Sequence, residues 1–356
     1  MNNKSLENKI SNIKIYKKDS ILLAIKKMDK SATKLLLVFD ENIFFSLLSI
    51  GDIQRAILNN IDLNTELSKI LRSQLTYSYD YENLDEIKKK MLKDKIECMP
   101  ILDKNEQLVD IYFWKDFFGS KQKINKISSN LPVIIMAGGK GARLQPLTNV
   151  IPKPLIPIND KTIIENIMDT FVSAGCNNFF LSINYKADLI KHFFSNPDLD
   201  NYKIHFFEEE KPLGTAGSLS LIRDKIKTSF FVSNCDILIN QDYNEIYEYH
   251  SKNRNELTMV SALSNISIPY GIIETTNNGL LKNIKEKPEL IFQINAGLYI
   301  LEPHLLKEIP KNKFFHITDL ILSIQERGGR VGVFPVSEGS WSDIGEWSKY
   351  IKKINK

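Results

Sequence analysis

The sequence predicts an α/β protein in which a doubly wound, mainly parallel sheet follows a smaller α+β region. From Leu131 onward, short apolar runs alternate with helical patterns, as they do in βαβ units. A glycine-rich segment follows the first apolar run, at the point where a strand turns toward a helix. The first part of the chain instead contains a weak internal repeat. These observations predict two domains, at residues 1–125 and 131–356.

The repeat covers Ile21–Ile57 and Leu84–Phe118. Each copy reads as a helix, a strand that ends in Asp before a turn, a second strand, and a helix that opens at Asp. The matched residues, at offsets of 63, 63 and 64, are Met28 and Met91, Asp40 and Asp103, and Asp52 and Asp116. This arrangement resembles the cystathionine β-synthase (CBS) domain, which normally occurs as a tandem pair. The resemblance implies a regulatory or oligomerisation module.

The CBS resemblance also implies one regulatory nucleotide site. In CBS domains that bind adenosine nucleotides, a Ser or Thr three residues before an Asp contacts phosphate, and the Asp accepts from the ribose hydroxyls. The first copy has this pattern in Ser49 and Asp52, whereas the second has Phe113 before Asp116 and lacks the hydroxyl. The alternative is that Ser49 and Asp52 only cap the following helix and that the pair forms an oligomer interface. A homo-oligomer, dimer or tetramer, is expected.

The polar stretch from Ser120 to Asn130 lacks apolar periodicity and is typical of a linker. Strands and helices then alternate. The predicted strands are Val133–Ala137, Phe179–Ile183, Lys203–Phe207 and Phe230–Ser233. The clearest helix begins with a capping box of Thr162 and Glu165 and stops at Gly175. Its predicted apolar face consists of Ile163, Ile164, Ile167, Met168, Phe171 and Val172.

The segment MAGGKGARLQPLTNVIPKPLIPI, Met136 to Ile158, holds three glycines and four prolines. The glycines let the backbone approach a ligand closely and point N–H groups at phosphate oxygens. Arg143 and Lys153 add positive charge, and the prolines restrict the chain that carries Lys153. The segment is neither a Walker A motif nor a dinucleotide GxGxxG motif.

This segment resembles the signature of the sugar-1-phosphate nucleotidyltransferases, roughly GGxGxRLxPLTxxxPKP, and the resemblance runs from about Leu131 to Trp347. It implies a Rossmann-like nucleotidyltransferase domain that uses Mg²⁺. The nucleotide-binding residues that it implies are Ala137, Gly138, Gly139, Gly141, Gly214 and Thr215. The implied sugar-phosphate-binding residues are Gly271, Glu286, Lys287 and Asn295. The implied catalytic residues are Arg143, Lys153 and Asp236, and the implied metal ligands are Asp236 and Asp343.

Each of these assignments has a structural alternative. The segment Glu210–Leu219 resembles the one that reads the base and the sugar, and its Gly214 and Gly217 open a helix whose N-terminus would favour an anion or carbonyl. The alternative is a plain helix start. Asp236 lies just beyond the strand Phe230–Ser233, where open α/β sheets bind ligands, but an Asp there could also cap a helix. The EKP tripeptide at Glu286 could be a surface turn. The tryptophans that flank Asp343 could serve only core packing.

The implied reaction is attack of a sugar-1-phosphate oxygen on the α-phosphorus of a nucleoside triphosphate, with loss of pyrophosphate. It needs positioning and charge neutralisation rather than a protein nucleophile. The CBS pair ahead of the transferase resembles bacterial guanylyltransferases that make GDP-glucosamine for legionaminic acid, which implies GTP and glucosamine 1-phosphate as substrates. The alternatives are a mannose-1-phosphate guanylyltransferase, a uridylyl- or thymidylyltransferase, and a non-catalytic regulatory subunit. Retention of the loop and metal residues disfavours the last.

Composition excludes several other classes. Hydrophobic residues make up 43% and charged residues 25% of the 356 residues, which is ordinary for a globular protein. A net charge of +4 with dispersed Lys and Arg does not predict a nucleic-acid partner. No apolar leader or run of about 20 residues occurs, so we expect a cytoplasmic protein without a membrane partner. The three cysteines have no metal-ligand spacing, and the five histidines lie outside every motif.

Overall fold

The computed structural model describes residues 3–72, 75–94, 96–118, 127, 130–196, 199, 201–345, 347, 350 and 351. The chain divides into two compact units, Met1–Ile124 and Asn125–Lys356. Most of the predicted linker lies outside the described residues. In the part of the chain that the structure describes, no helix has the length and apolar character needed to cross a bilayer.

The first unit opens with helix α1 (Asn3–Ile10) and then runs twice through the order strand, helix, strand, strand, helix. The first copy consists of β1 (Lys14–Tyr16), α2 (Ile21–Ser31), β2 (Leu35–Asp40), β3 (Ile43–Ser49) and α3 (Ile50–Leu58). The second consists of β4 (Ser78–Tyr79), α4 (Leu84–Asp94), β5 (Cys98–Leu102), β6 (Leu108–Phe113) and α5 (Trp114–Phe118). In each copy the first two strands pair in parallel and the last two pair antiparallel. The repeat in the sequence is therefore a repeat of structure.

Each copy buries apolar side chains, and one apolar cluster contains residues of both. Helix α2 buries Ile21, Ala24, Ile25 and Met28, which follow the spacing of a single helix face. The fully buried Leu37 of the first copy belongs to the same cluster as Cys98 and Ile111 of the second. The unit therefore buries apolar surface that neither copy could cover alone.

The second unit is built on a seven-stranded sheet flanked by helices. Its strands are β7 (Val133–Met136), β8 (Pro157–Ile158), β9 (Lys161–Thr162), β10 (Asn178–Ile183), β11 (Lys203–Glu208), β12 (Phe230–Asn234), β13 (Ile237–Ile239), β14 (Leu257–Ser267), β15 (Ile272–Thr275), β16 (Leu281–Lys285), β17 (Glu289–Leu301), β18 (Val331–Val336) and β19 (Trp341–Asp343). Its α-helices are α6 (Ile163–Ser173), α7 (Ala187–Phe193), α8 (Tyr243–Lys252) and α9 (Ile317–Glu326).

The large sheet has the order β11-β10-β7-β12-β17-β14-β18. Strands β7, β10, β11 and β12 are parallel, as is the pair β14 and β18, whereas β17 runs antiparallel to both of its neighbours. The sheet is thus mainly parallel, as the sequence predicts, and the antiparallel β17 makes it a mixed sheet. Val133, Ile134 and Ile135 have no exposed surface, as expected for a central strand covered on both faces.

Helix α6 has the predicted start. The Thr162 hydroxyl accepts from the Glu165 N–H at 3.3 Å, and the Glu165 carboxylate accepts from the Thr162 N–H at 2.8 Å. All of the predicted apolar face is buried except Val172, which is partly buried. The helix ends at Ser173, before Gly175, as the sequence predicts.

The helix predicted to open at Gly214 and Gly217 is present as a 3₁₀ helix. The chain there forms a short 3₁₀ helix, Gly217–Ile222. A Cβ on Gly214 would stand 2.7 Å from the carbonyl oxygen of Phe315, and one on Gly217 would stand 2.5 Å from that of Lys313. The two glycines therefore allow a close approach between backbone segments, and they do not form the α-helical N-terminus that an anion would favour.

Candidate active site

The two aspartates predicted to bind metal lie side by side. Strand β13 pairs antiparallel with β19, which sets Ile237 opposite Asp343. Asp236 immediately precedes β13, and its carbonyl accepts a hydrogen bond from the N–H of Ile344 at 2.9 Å. Backbone pairing therefore joins two carboxylates that are distant in sequence.

Gly345 lies where the charged side chains meet. A Cβ there would stand 2.6 Å from Asp236 Oδ2, 2.8 Å from Asp343 Oδ1 and 3.0 Å from Lys153 Nζ. The Gly345 N–H also donates to Asp343 Oδ1 at 2.7 Å. Sequence reasoning missed this residue, although a glycine two positions after a predicted metal ligand is a usable signal.

Two cations compensate the aspartates. Lys153 donates a hydrogen bond to Asp236, and both side chains are largely buried. The Arg143 guanidinium lies 3.8 Å from Asp236 Oδ2 and 3.9 Å from Asp343 Oδ2, which is beyond hydrogen-bond distance. Buried charges need such compensation, so the four side chains form one electrostatic unit.

The glycines of the loop have different roles. Gly141 has φ +64°, and a Cβ on it would stand 2.9 Å from Thr148 Cγ2 and 3.0 Å from Lys153 Cβ. The loop thus folds back on the segment that carries Lys153. A Cβ on Gly138 would stand 2.9 Å from a carboxylate oxygen of Glu209. A Cβ on Gly139 would have no described atom within 4 Å. Of the three, Gly139 borders open space.

Two residues beside the glycine-rich loop, Ala137 and Glu209, make hydrogen bonds that the sequence did not predict. The Ala137 N–H donates to the Ser182 carbonyl at 2.8 Å, so this amide belongs to the sheet and is not directed at a phosphate. The buried Glu209 accepts from the Ser182 hydroxyl at 2.6 Å and from the Leu213 N–H at 2.9 Å. Glu209 was not predicted, and it ties the segment before Gly214 to the strand beside the loop.

A cavity of about 160 Å³ opens beside the aspartates. Four predicted residues line it, namely Arg143, Asp236, Asn295 and Asp343. The other lining residues, which the sequence did not predict, are Asn234, Ile237, Ala296, Gly297, Tyr299 and Trp341. Asn295 Oδ1 accepts from the Gly297 N–H at 3.0 Å and from the Tyr299 hydroxyl at 2.9 Å. Burial raises the pKa of Tyr299, which keeps its hydroxyl protonated as a donor.

Four further predicted residues lie outside this lining. Gly271, Glu286 and Lys287 lie at the hairpin of β15 and β16, where Glu286 and Lys287 are exposed. A Cβ on Gly271 would stand 2.9 Å from a carboxylate oxygen of Glu286. The Thr215 hydroxyl accepts from the Ile317 N–H at 3.0 Å, at the start of α9. Among the described residues, none of these four belongs to the lining of the cavity beside the paired aspartates.

In the first unit, Ser49 and Asp52 form the capping box of α3. Asp52 also accepts hydrogen bonds from Arg55 and Arg72. Burial alone would raise the pKa of the Asp52 carboxyl, but the hydrogen bonds from Arg72 and Ser49 outweigh it and hold this pKa below its usual value. Ser49 and Asp52 therefore cap α3.

The comparisons with known proteins concern the second unit. The family model for nucleotidyl transferase matches residues 132–356. The mannose-1-phosphate guanyltransferase of Emericella nidulans is 32% identical over 224 residues, which are 61% of this chain and 61% of the relative. The catalytic subunit beta of mannose-1-phosphate guanylyltransferase from Drosophila pseudoobscura pseudoobscura is 32% identical over 189 residues, 51% of each chain. The chain thus spans about half to three-fifths of the length of these relatives.

A solved structure resembles the same region. The crystal structure of HddC from Yersinia pseudotuberculosis complexed with GMP-PN superposes with a TM-score of 0.51 at 26% identity. The match covers 63% of this chain and 98% of the HddC chain.

Proposed function

Because the chain belongs to the nucleotidyl transferase family, we propose that it transfers a nucleotidyl group from a nucleoside triphosphate to a sugar 1-phosphate and releases pyrophosphate. The observation that carries this proposal is the convergence of Asp236, Asp343, Arg143 and Lys153 beside one cavity. Two anionic substrates repel each other, so a site that joins them needs fixed positive charge and a means of holding phosphates in place.

Asp236 and Asp343 would hold Mg²⁺. Their oxygens crowd the same point at Gly345, and carboxylate oxygens are the ligands that Mg²⁺ prefers. When bound, the ion would supply charge neutralisation to the phosphates. The fit rests on this pairing of carboxylates.

Arg143 and Lys153 would bind the triphosphate. Lys153 is held close to Asp236, and Arg143 lies within 4 Å of both aspartates, so either cation could turn from a carboxylate to a phosphate with a small movement. Both would stabilise charge on the departing pyrophosphate. The attacking sugar phosphate is already an anion, so no general base is required. Gly139 would offer its backbone to the phosphates, and Asn295 would face the sugar.

The donor and acceptor are proposed from the similar proteins. The two guanylyltransferases and the HddC complex with GMP-PN support GTP as the donor. The resemblance of the whole chain to CBS-linked transferases favours glucosamine 1-phosphate as the acceptor and GDP-glucosamine, for legionaminic acid, as the product. The names of the relatives favour mannose 1-phosphate instead. Gly271, Glu286 and Lys287, which lie together at the β15–β16 hairpin, would contribute to sugar binding.

The test is a panel of substrates. Purified protein with Mg²⁺ would be given GTP, ATP, UTP or dTTP with glucosamine, mannose or glucose 1-phosphate, and pyrophosphate release would be followed. We expect GTP to give the highest kcat/KM. A preference for UTP or dTTP of more than about tenfold would reject the guanylyl assignment. No turnover with any pair would reject the transferase.

For the first unit we propose a CBS-type site for an adenine nucleotide at Ser49 and Asp52. The specific observation in favour is that Arg55 and Arg72, whose side chains are 57% and 56% exposed, lie beside Asp52 and could meet a phosphate. Calorimetry on the full chain with AMP, ADP and ATP should detect binding that Arg72→Ala weakens. If none binds and deletion of residues 1–125 leaves turnover unchanged, only the oligomerisation role remains.

A further inference from the structure

The C-terminal segment, residues 341–345, 347 and 350, runs along the glycine-rich signature segment, Met136–Ile158. Asp343 lies 3.9 Å from Arg143, and a Cβ on Gly345 would stand 3.0 Å from Lys153 Nζ. Two aromatic side chains also donate hydrogen bonds to the backbone of the signature segment. The Trp347 indole N–H donates to the Gln145 carbonyl at 2.8 Å. The Tyr350 hydroxyl donates to the Pro157 carbonyl at 2.9 Å.

The rings of Trp347 and Tyr350 also pack against each other. Trp347 and Tyr350 pack edge to face with ring centroids 6.0 Å apart. Tyr350 is buried, whereas Trp347 is 37% exposed. The buried ring therefore fixes the direction of the partly exposed one, and the indole N–H remains directed at Gln145.

The position of Gln145 in the signature segment affects the turn that carries Arg143. It directly follows the 3₁₀ turn Ala142–Leu144, which carries Arg143. Two more such turns, Leu147–Asn149 and Lys153–Leu155, follow in the same segment. A 3₁₀ turn of three residues has few hydrogen bonds of its own, so contacts from other segments decide where it stands.

We propose that Trp347 is a positioning residue that, through the Gln145 carbonyl, holds the turn bearing Arg143 beside Asp236 and Asp343. The proposal rests on the proposed transferase function. Its chemical basis is that a cation must lie within a fraction of an ångström of its working position to act on a transferring phosphate. Trp347 touches no reacting group, and its effect passes only through the backbone.

The decisive variant is Trp347→Phe, which keeps a ring against Tyr350 and removes the N–H. Trp347→Ala removes both. The matched control is Trp114→Phe in the first unit, because the buried Trp114 Nε1 has no hydrogen-bond partner among the described residues. Each full-length variant would be compared with the natural chain by steady-state kinetics with GTP and the best sugar 1-phosphate, and by amide hydrogen exchange of residues 138–150.

For Trp347→Phe we expect kcat to fall about 10-fold while KM for GTP changes less, because the lost contact serves the transition state. Amide exchange over residues 141–150 should rise in the same variant. Trp114→Phe should change neither measurement. A merely structural role for Trp347 would lower thermal stability and leave both kcat at permissive temperature and exchange in this segment unchanged, and that result would overturn the proposal.

The exchange measurement separates this inference from the proposed function. If the natural chain shows no turnover, the transferase is rejected, and exchange alone decides whether Trp347 holds the segment. If the natural chain is active and Trp347→Phe leaves exchange over residues 141–150 unchanged, the positioning role is rejected while the transferase stands. Raised exchange with unchanged kcat would also reject it.

Discussion

Gly345 shows how a residue without a side chain can shape a charged site. Two carboxylates and an ammonium group occupy the space that its Cβ would take. These neighbours are the ends of flexible side chains, so they could move aside at little cost in stability. The geometry of the site, by contrast, depends on the positions of these charged groups.

Gly345→Ala should therefore reduce activity far more than stability. We expect kcat/KM to fall about 100-fold, because Asp236, Asp343 and Lys153 would all be displaced. The free energy of unfolding should fall by only about 1 kcal/mol. Pyrophosphate release and urea unfolding measure the two quantities. Equal activity in both proteins would mean that the observed convergence is not the working arrangement.

Asp236→Asn should lower kcat/KM by about 100- to 1,000-fold, because the amide keeps the shape of the side chain and removes its charge. The matched control is Asp188→Asn, a substitution of the same kind at an exposed position of α7. Steady-state kinetics on both variants, with circular dichroism to verify folding, give the comparison. A fully active Asp236→Asn protein would contradict the assignment of this carboxylate.

At the level of elements, one carboxylate joins several parts of the second unit. Glu256 directly precedes β14 and accepts hydrogen bonds from Arg327, which follows α9, and from His304. The Arg327 hydrogen bonds outweigh burial and, with His304, hold the pKa of Glu256 at about 2. Because Arg327 also binds Glu308, the cluster is already compensated in charge and does not call for a metal ion.

This cluster predicts a pH dependence of stability. The pKa of Glu256 is lower in the folded protein, about 2, than its ordinary 4.5, so its stabilisation is complete above pH 4.5 and is lost as pH falls toward 2. Glu256→Gln should lower the free energy of unfolding by about 1 kcal/mol at neutral pH, since the group is partly exposed. The difference should shrink as the pH is lowered below 4.5.

Urea unfolding at several pH values measures this difference. Glu326→Gln, at an exposed position of α9, is the control and should have little effect at any pH. A Glu256→Gln effect that is the same at low and neutral pH would show that the cost comes from packing and not from the ionised carboxylate.

At the scale of the whole molecule, the reactivity of the cysteine thiols can report on each of the two units. Cys98 lies in the first unit, and Cys176 and Cys235 lie in the second. All three thiols are buried, and burial raises their pKa values to about 12, 11 and 12. Thiolates are the reactive form, so the folded chain should protect all three.

A thiol reagent at neutral pH should therefore label none of the three cysteines in the native protein and all three after unfolding. Labelling along a denaturant series, read residue by residue by mass spectrometry, should expose Cys98 at a different midpoint from Cys176 and Cys235, because each unit has its own core. Rapid labelling of a native thiol would contradict the burial, and one shared midpoint would show that the units unfold together.

The sequence by itself determined the local features of this protein. The capping box of α6, the first four strands of the large sheet and the repeat in the first unit all follow from patterns within short stretches, where neighbouring residues settle the conformation. The residue types and spacing of the signature segment likewise predict Arg143 and Lys153 as site residues, and both lie beside Asp236. The place of Asp236 after an apolar strand predicted either a ligand site or a helix cap.

Only the tertiary structure decided which distant segments meet. The pairing of β13 with β19 joins Asp236 to Asp343, and no local pattern encodes that partner. The roles of Gly345, Glu209 and Trp347 depend on what lies against them, and a single sequence does not display such neighbours. The antiparallel β17 and the 3₁₀ helix at Gly217 arise for the same reason: packing between remote segments outweighs the weak preferences of the local chain.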